Sequence, residues 1–564
     1  MRRRLYLFIP VAVIVAVLGA FLVWPMAHVF SRACRDQAGF TSLYVRGLFT
    51  NPVQIEALLT SFLIAGCVTL SCVMVAMPLA WLFARRSFVG KSVWSGLLLL
   101  PMILPPFVSA VGMKMIFARA GALSTLCMNL GLADGPVDWL GTFPLLGVIL
   151  LETLHLFPIL YLNLVAALAN IDPSLEEAAL NLGAPPARVF RRVTLPLAMP
   201  GMFAGMVLVF IWSFTELGTP LVFGVRNVLP VMIFNSVAEI GTNPGGYAQV
   251  AFVLVISVLG FWISKQLLSR SRSVATLGRL SSGRREVPLT RGGTVLAYVL
   301  IGGVLLLAVL PHISVFLLSV SRRWFLTVLP DGFTTEFFGR ALNSDLTRTA
   351  LLNSLALSLC ATVLDVLLGF GIAWLCVRRR VAGSDWLDAL AMLPLAVPGL
   401  VIAFGYIGCF SGTFPNTLLD PRFNPMILLA ISYAIRRLPY MVRAAHAGLE
   451  QVSSTYEEAA ANLGASPFRV VWRVTLPLIG ANLLAGGILC FSFSMLEVSD
   501  SLILAQTEQF YPITKAIYVL IDGLENGLNV ASALGVWAMA LLGAGILLAA
   551  SLMGKRMGQM FRAG

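Results

Sequence analysis

The sequence predicts an all-α membrane protein of about twelve transmembrane helices, arranged as two parallel six-helix repeats with cytoplasmic N- and C-termini. Three observations carry this prediction. Of 564 residues, 58% are hydrophobic and 12% charged, where soluble domains average about 45–50% and about 25%; mean hydropathy is +0.89. Apolar runs of about 20 residues, the length a helix needs to cross a bilayer, recur from one end to the other. The second half also repeats the first at fixed offsets.

Taken in order, the apolar runs place spans near 5–28, 56–84, 92–117, 142–168, 197–223, 246–268, 292–319, 349–377, 386–410, 425–447, 478–505 and 529–553. The first follows Met1-Arg2-Arg3-Arg4 and no A-x-A site follows it. It also exceeds the roughly 7–15 apolar residues of a signal peptide, so it reads as a retained helix. With the N-terminus inside, twenty-four Lys and Arg fall in inner segments and eleven in outer ones, the bias that sets orientation. The net charge of +13 therefore reads as topology and not as a nucleic-acid footprint. The eight cysteines lie mostly within apolar runs without C-x-x-C or Cys/His spacing. They read as packing residues, and no metal site or catalytic residue is expected.

Ala57 to Ser61 matches Ala350 to Ser354, Trp81 with Arg85-Arg86 matches Trp374 with Arg378-Arg379, and Pro101 and Pro105 match Pro394 and Pro398, all 293 residues apart. Pro158 and Pro439, and Glu216 and Glu497, are 281 apart. The change places a twelve-residue shortening in the outer loop between the third and fourth helices of the second half. The domains are thus 1–268, a basic linker at 269–291, and 292–564. Six helices per repeat is an even number, so both halves enter the membrane in the same sense, related by a pseudo-two-fold along its normal. Prolines 101, 105, 106, 394 and 398 break the third helix of each half. Lipid tolerates this where neighbours or a cavity satisfy the freed backbone, and both a packing kink and a path lining fit.

Between the fourth and fifth helices of each half lies the most informative segment. The first reads Asp172-Pro173-Ser174-Leu175-Glu176-Glu177-Ala178-Ala179-Leu180-Asn181-Leu182-Gly183, continuing to Val193-Thr194-Leu195-Pro196. The second, 281 residues on, reads Ser453-Ser454-Thr455-Tyr456-Glu457-Glu458-Ala459-Ala460-Ala461-Asn462-Leu463-Gly464, continuing to Val474-Thr475-Leu476-Pro477. Asp172 caps a helix opened by Pro173, the glutamates sit in the first turn where the dipole favours them, and Gly183 occupies the left-handed closing position. Pro186 or Pro467 opens a second short helix, which Pro196 or Pro477 is expected to close. Leu175, Ala178, Ala179 and Leu182 form a helical stripe. Its alanine centre suits close approach of another surface, whereas a helix resting on lipid headgroups calls for bulky residues.

Glu-Ala-Ala, three residues, Gly, nine residues and Val-x-Leu-Pro, present twice, resemble the cytosolic loop of permease subunits of bacterial binding-protein-dependent ABC importers. Two such units fused head to tail look most like the ferric-iron-type permeases, whose relatives also carry phosphonates, phosphorylated compounds or thiamine. The resemblance implies two ABC importer permease domains in a bacterial inner membrane. It implies two copies of an ATP-binding subunit and a periplasmic substrate-binding protein as partners, alongside the lipid bilayer and without nucleic acid. ATP and Mg would sit on the partner ATPase, with no cofactor bound by this chain. The coupling residues it implies are Glu176, Glu177, Ala178, Ala179, Gly183 and Pro196, with Glu457, Glu458, Ala459, Ala460, Gly464 and Pro477. Of these, Glu177 and Glu458 would meet donor groups of the ATPase. After the second-half glutamate, ferric permeases often carry Leu-Pro-x-Thr, where this chain has Val498-Ser499-Asp500-Ser501.

An ATPase site of its own is not expected, because Gly90-Lys91-Ser92 has Arg85 where a P-loop needs its first glycine. Ionisable residues within spans are functional candidates, since each costs roughly 2.5–3.5 kcal/mol to insert. They are Lys114, Glu152, His155, Glu216, Asp365, Arg436, Arg437, Glu497 and Asp500. Glu216, Glu497, Asp500, His155, Arg436 and Arg437 are the expected path residues; a structural ion pair accounts equally for the glutamates. His155 stands where the second half has Arg436, so the site is not symmetric. The rival from another class is a six-plus-six secondary transporter, also a parallel repeat.

Overall fold

A computed structural model describes residues 2–553 except 37–38, 104–105, 276–286, 382, 414–416, 522 and 524–525. Pro105, linker residues 276–286 and the C-terminal basic residues Lys555, Arg556 and Arg562 lie outside the described residues. The chain is helical nearly throughout. Twelve helical segments correspond in order to the expected spans: α1 (Ile9–Ala33), α2 (Pro52–Arg85), α3 (Pro106–Asn129), α4 (Pro144–Ala169), α5 (Pro186–Phe214), α6 (Gly245–Ala275), α7 (Arg291–Ser319), α8 (Asp345–Arg379), α9 (Ser384–Leu395 with Gly399–Phe410), α10 (Met426–Gln451), α11 (Pro467–Leu478 with Gly480–Met495) and α12 (Gly527–Met553).

Among the described residues, nine helices are long and apolar enough to cross a membrane, or up to eleven if each bent pair is one span. The remaining expected segment is α10, 26 residues long. Its Arg436, Arg437 and Arg443 make it too polar for a hydropathy criterion.

The compact units do not follow the two sequence halves. One comprises Met1–Ile55, Met232–Val255 and Glu336–Met560, the other Glu56–Val231 and Ile256–Thr335. Each half therefore gives its first helix to the unit built around the other half. In the first unit α1 packs on α9: Phe21 stacks on Phe410, and the Tyr406 hydroxyl donates to the Phe21 carbonyl at 2.7 Å. In the second unit α7 packs on α3, with Ser109 Oγ 2.7 Å from His312 Nε2. Gly112 lies so close to the Pro311 carbonyl that any side chain would collide with it. In both cases the covering helix lies over the proline-broken third helix of a repeat. Lipid offers helices no hydrophobic reason to associate, so such close backbone approach and polar contacts hold them together.

The proline breaks take the expected form. In α9 the pair Ser384–Leu395 and Gly399–Phe410 bends by 98°. In the first half Leu100–Ile103 precedes α3, and His155 Nδ1 donates to the Pro101 carbonyl at 2.8 Å, satisfying a group the break would leave free.

Pro196 and Pro477 do not end their helices as expected. Residues Pro186–Phe214 form one continuous helix, and Pro467–Leu478 runs through Pro477 before a 73° bend into Gly480–Met495. The reason is a π-turn directly before each proline, Phe190–Thr194 and Val471–Thr475. There the Leu195 N–H already bonds to Phe190 O, one residue farther back than in an α-helix. The ladder is thus shifted and widened where the proline's missing N–H and bulky ring would otherwise break it.

Candidate functional site

The two inter-helix loops share one geometry. Asp172 Oδ1 accepts from Ser174 N at 2.9 Å and Pro173 opens the helix Pro173–Asn181. The second loop forms Thr455–Asn462 after Ser454. Both helices close alike: Gly183 N bonds to Leu180 O and Ala184 N to Ala179 O, at 2.9 and 3.1 Å, and Gly464 and Ala465 repeat these bonds to Ala461 and Ala460. This closure needs a left-handed residue, and the glycines supply it with φ of +82° and +85°.

The paired glutamates of each loop have different surroundings. Glu176 Oε1 accepts from Arg85 Nη2 at 2.8 Å and from Thr194 Oγ1 at 2.6 Å. Glu457 Oε1 accepts from Arg378 Nε at 2.9 Å and from Thr475 Oγ1 at 3.1 Å. Arg85 ends α2 and Arg378 is the last residue but one of α8, while Thr194 and Thr475 are the last, buried residues of the two π-turns. One carboxylate in each loop thus ties the loop to the inner end of the second helix and to the root of the fifth. Charge-assisted bonds of this kind are roughly twice as strong as neutral ones. Glu177 and Glu458 face outward with Ala178 and Ala459, whereas Ala179 and Ala460 are half-buried. Around them Leu182 and Leu463 are 89% and 90% exposed, and Tyr456, Phe468 and Trp472 are also exposed. Each loop presents an apolar face ringed by charge.

Just past the far end of α11, Glu497 pairs with both Arg436 and Arg437, which lie near the middle of α10. Asp500 accepts from Ser432 Oγ at 2.7 Å and lies 3.7 Å from Arg436. Tyr433 and Ser501 hydroxyls meet at 2.6 Å. This cluster abuts the break of α9, where a side chain at Gly399 would run into the Arg436 guanidinium and Asp500. Glu497, Asp500, Arg436 and Arg437 are therefore brought together. The first-half counterparts are engaged separately. Glu216 Oε1 accepts from Gly218 N and Thr219 N at 3.2 and 3.3 Å, capping a short helix, and His155 serves the break at Pro101. There, α4 and α5 are joined by Ser213 donating to the buried Glu152.

Sequence reasoning missed Arg85, Arg378, Thr194 and Thr475 as partners of the loop glutamates. Their signal was available in the repeat: Arg85 and Arg378 are 293 apart and Thr194 and Thr475 are 281 apart, the offsets of their neighbourhoods. Lys91 of the Gly-Lys-Ser triplet donates from Nζ to Arg86 O at 2.9 Å.

The profile of the family described as binding-protein-dependent transport system inner membrane component matches residues 76–273 and 365–561. The chain belongs to this family. Each match contains one of the loops and its tether, so the family unit is present twice and the protein is a multi-pass permease of the inner membrane. A ferric transport system permease protein of Actinobacillus pleuropneumoniae is 27% identical over 494 residues, covering 86% of this chain and 70% of that one. The thiamine transport system permease protein of Escherichia coli is 26% identical, covering 72% of each chain. A molybdenum transport system permease protein of Haemophilus influenzae is 30% identical over 41% of this chain and 100% of its own length.

Proposed function

We propose that this permease forms the whole translocation path of an ATP-driven importer for ferric iron, delivered by a periplasmic binding protein and powered by two ATP-binding subunits docked on its two loops. The single observation that carries the reading is the duplicated tether, Glu176 with Arg85 and Thr194, and Glu457 with Arg378 and Thr475. A loop whose only task is to connect two helices has no need of a charged strut to a third element, built twice. With the strut, a push on either loop moves the second and fifth helices of a half as one body.

In this reading Glu177, Glu458 and the exposed faces around Ala178 and Ala459 receive the ATPase, Gly183 and Gly464 set the bend, and Pro196 and Pro477 follow the π-turns. ATP and Mg belong to the partner, and this chain binds no cofactor and has no catalytic residue. Glu216, Glu497, Asp500, His155, Arg436 and Arg437 line or brace the path. Iron as cargo is supported by the ferric relatives, which align along most of this chain. The thiamine relative favours a second reading in which the same machinery carries thiamine, and phosphonates or phosphorylated compounds remain in that group.

Co-purification tests the coupling. The chain, isolated in mild detergent, brings down an ATPase whose hydrolysis rises with ferric-loaded binding protein. Uptake that follows an ion gradient and persists without any ATPase would instead establish a secondary transporter.

A further inference from the structure

Lys515 is only 6% exposed although it lies in a segment that the charge bias assigns to the outer side. Its ammonium donates to Leu502 O at 3.1 Å and sits 5.7, 5.6 and 5.8 Å from the ring centres of Phe234, Tyr511 and Tyr518. A three-ring box of this kind holds a cation by the ring quadrupoles. Here the chain fills the box with its own lysine. Burying an ammonium costs hydration that these contacts only partly offset, so the arrangement is a hold that opens readily toward water.

The partners of the box come from corresponding elements of the two repeats. Phe234 lies on the helix Leu229–Ser236, and Lys515 and Tyr518 lie on the helix Ile513–Ile521. Each helix follows the break after the fifth span, precedes the sixth, and carries a proline at its start, Pro230 or Pro512. Corresponding serines hold their first N–H groups: Ser61 Oγ accepts from Leu229 N at 2.9 Å, and Ser354 Oγ accepts from Ile513 N at 2.8 Å. In a two-fold repeat, counterpart elements touch only at the axis, and the axis of a parallel repeat is the line along which solute crosses.

We propose that Lys515 and Phe234 form the closed outer constriction of the translocation path, a latch of one ammonium in an aromatic box that must part for solute to enter. The inference rests on the importer reading above. The latch is wired to the driving end of the molecule: Thr514, next to Lys515, donates from Oγ1 to the Glu497 carbonyl at 2.7 Å, and Glu497 is held by Arg436 and Arg437. Those arginines lie on α10, which runs directly into the second loop. Displacement of that loop thus reaches the box through one helix and one clamp.

The test places Phe234→Cys and Lys515→Cys together in a full-length chain whose eight natural cysteines are replaced, reconstituted in vesicles with its ATPase and binding protein. A protease site in the linker reports the cross-link, because the bridged halves then migrate together on a denaturing gel. Radioactive ferric iron on the binding protein is the probe. A short cleavable thiol cross-linker is expected to lower uptake at least tenfold, with recovery when the spacer is cleaved. A cross-link that forms while uptake continues, or no cross-link in the resting transporter, overturns the latch. Where the cysteine pair is inactive before cross-linking, single Lys515→Cys decides by its labelling with a membrane-impermeant thiol reagent. Labelling several-fold faster during ATP turnover supports the latch, and an unchanged rate overturns it. A wild-type chain that takes up no ferric iron in the same vesicles marks failure of the cargo reading, and the labelling rate during turnover still decides the latch.

Discussion

Glu176 accepts from Arg85 at 2.8 Å, bridging 91 residues of sequence, and the same pair recurs in the second half as Glu457 and Arg378 at 2.9 Å. Both carboxylates also hold a threonine that ends a π-turn. Selection of the inward glutamate for structure leaves its neighbour, Glu177 or Glu458, facing outward. Two adjacent carboxylates in one helical turn thus divide between holding the loop and presenting it.

Replacing Glu176 and Glu457 by glutamine keeps size and acceptor but removes the charge. Each loop loses about 1–2 kcal/mol of local stabilisation, since hydrogen bonds to charged groups are worth about 1.5–3 kcal/mol and neutral ones about 0.5–1.5. The chain still inserts and retains its ATPase, while iron uptake falls at least several-fold per ATP hydrolysed. Parallel assays of uptake and phosphate release check this.

The clamp at Glu497 behaves as a buried network. Removing both arginines, with Arg436→Ala and Arg437→Ala, strands a carboxylate that is 5% exposed. Breaking a buried pair from one side costs about 3–5 kcal/mol. Adding Glu497→Ala recovers part of that loss. Thermal unfolding in detergent of the chain with Arg436→Ala and Arg437→Ala, the chain with Glu497→Ala alone and the chain with all three changes, read as a mutant cycle, measures the recovery.

Gly183→Ala and Gly464→Ala force a side chain into backbone with φ of +82° and +85°. The strain is about 1–2 kcal/mol at each site. Neither glycine has a neighbouring atom within 4 Å of an added Cβ, so the cost is conformational and not a clash. Asparagine, which tolerates the left-handed region, is expected to retain more ATPase stimulation than alanine at both sites.

Ser61→Ala and Ser354→Ala each remove the acceptor for a buried N–H, of Leu229 and Ile513. An orphaned buried donor costs about 1–3 kcal/mol. Ser354→Ala loosens the helix that carries Lys515. Hydrogen exchange of residues 513–521 is expected to rise in that variant while exchange of α12 is unchanged.

Much of this was legible in the sequence because lipid imposes coarse rules. A helix must be apolar for about 20 residues to cross, so most spans announce themselves. α10 also stood out as an apolar run at 425–447, although Arg436 and Arg437, which pair with Glu497 just beyond α11, lower its hydropathy. The loop helices were legible through local chemistry, in Asp172, Pro173 and Gly183. Three features were not. Arg85 and Arg378 looked like orientation charges, since a sequence does not show that α2 ends beside a loop 91 residues on. The π-turns before Pro196 and Pro477 have no composition of their own, so the prolines read as stops. The exchange of α1 and α7 between units was hidden because apolar helices in lipid carry no partner code, and Gly112 meets Pro311 only in three dimensions.

The central claim is that two outward-facing loops take up work from ATPase subunits. It is tested most directly by measuring ATP hydrolysis of the reconstituted transporter carrying Glu177→Ala and Glu458→Ala, with and without ferric-loaded binding protein. Both side chains are exposed, so the fold is expected to change by no more than about 0.5 kcal/mol. Insertion proceeds as in the wild type, and stimulation by the loaded binding protein is abolished. Stimulation equal to that of the wild-type chain would contradict the account.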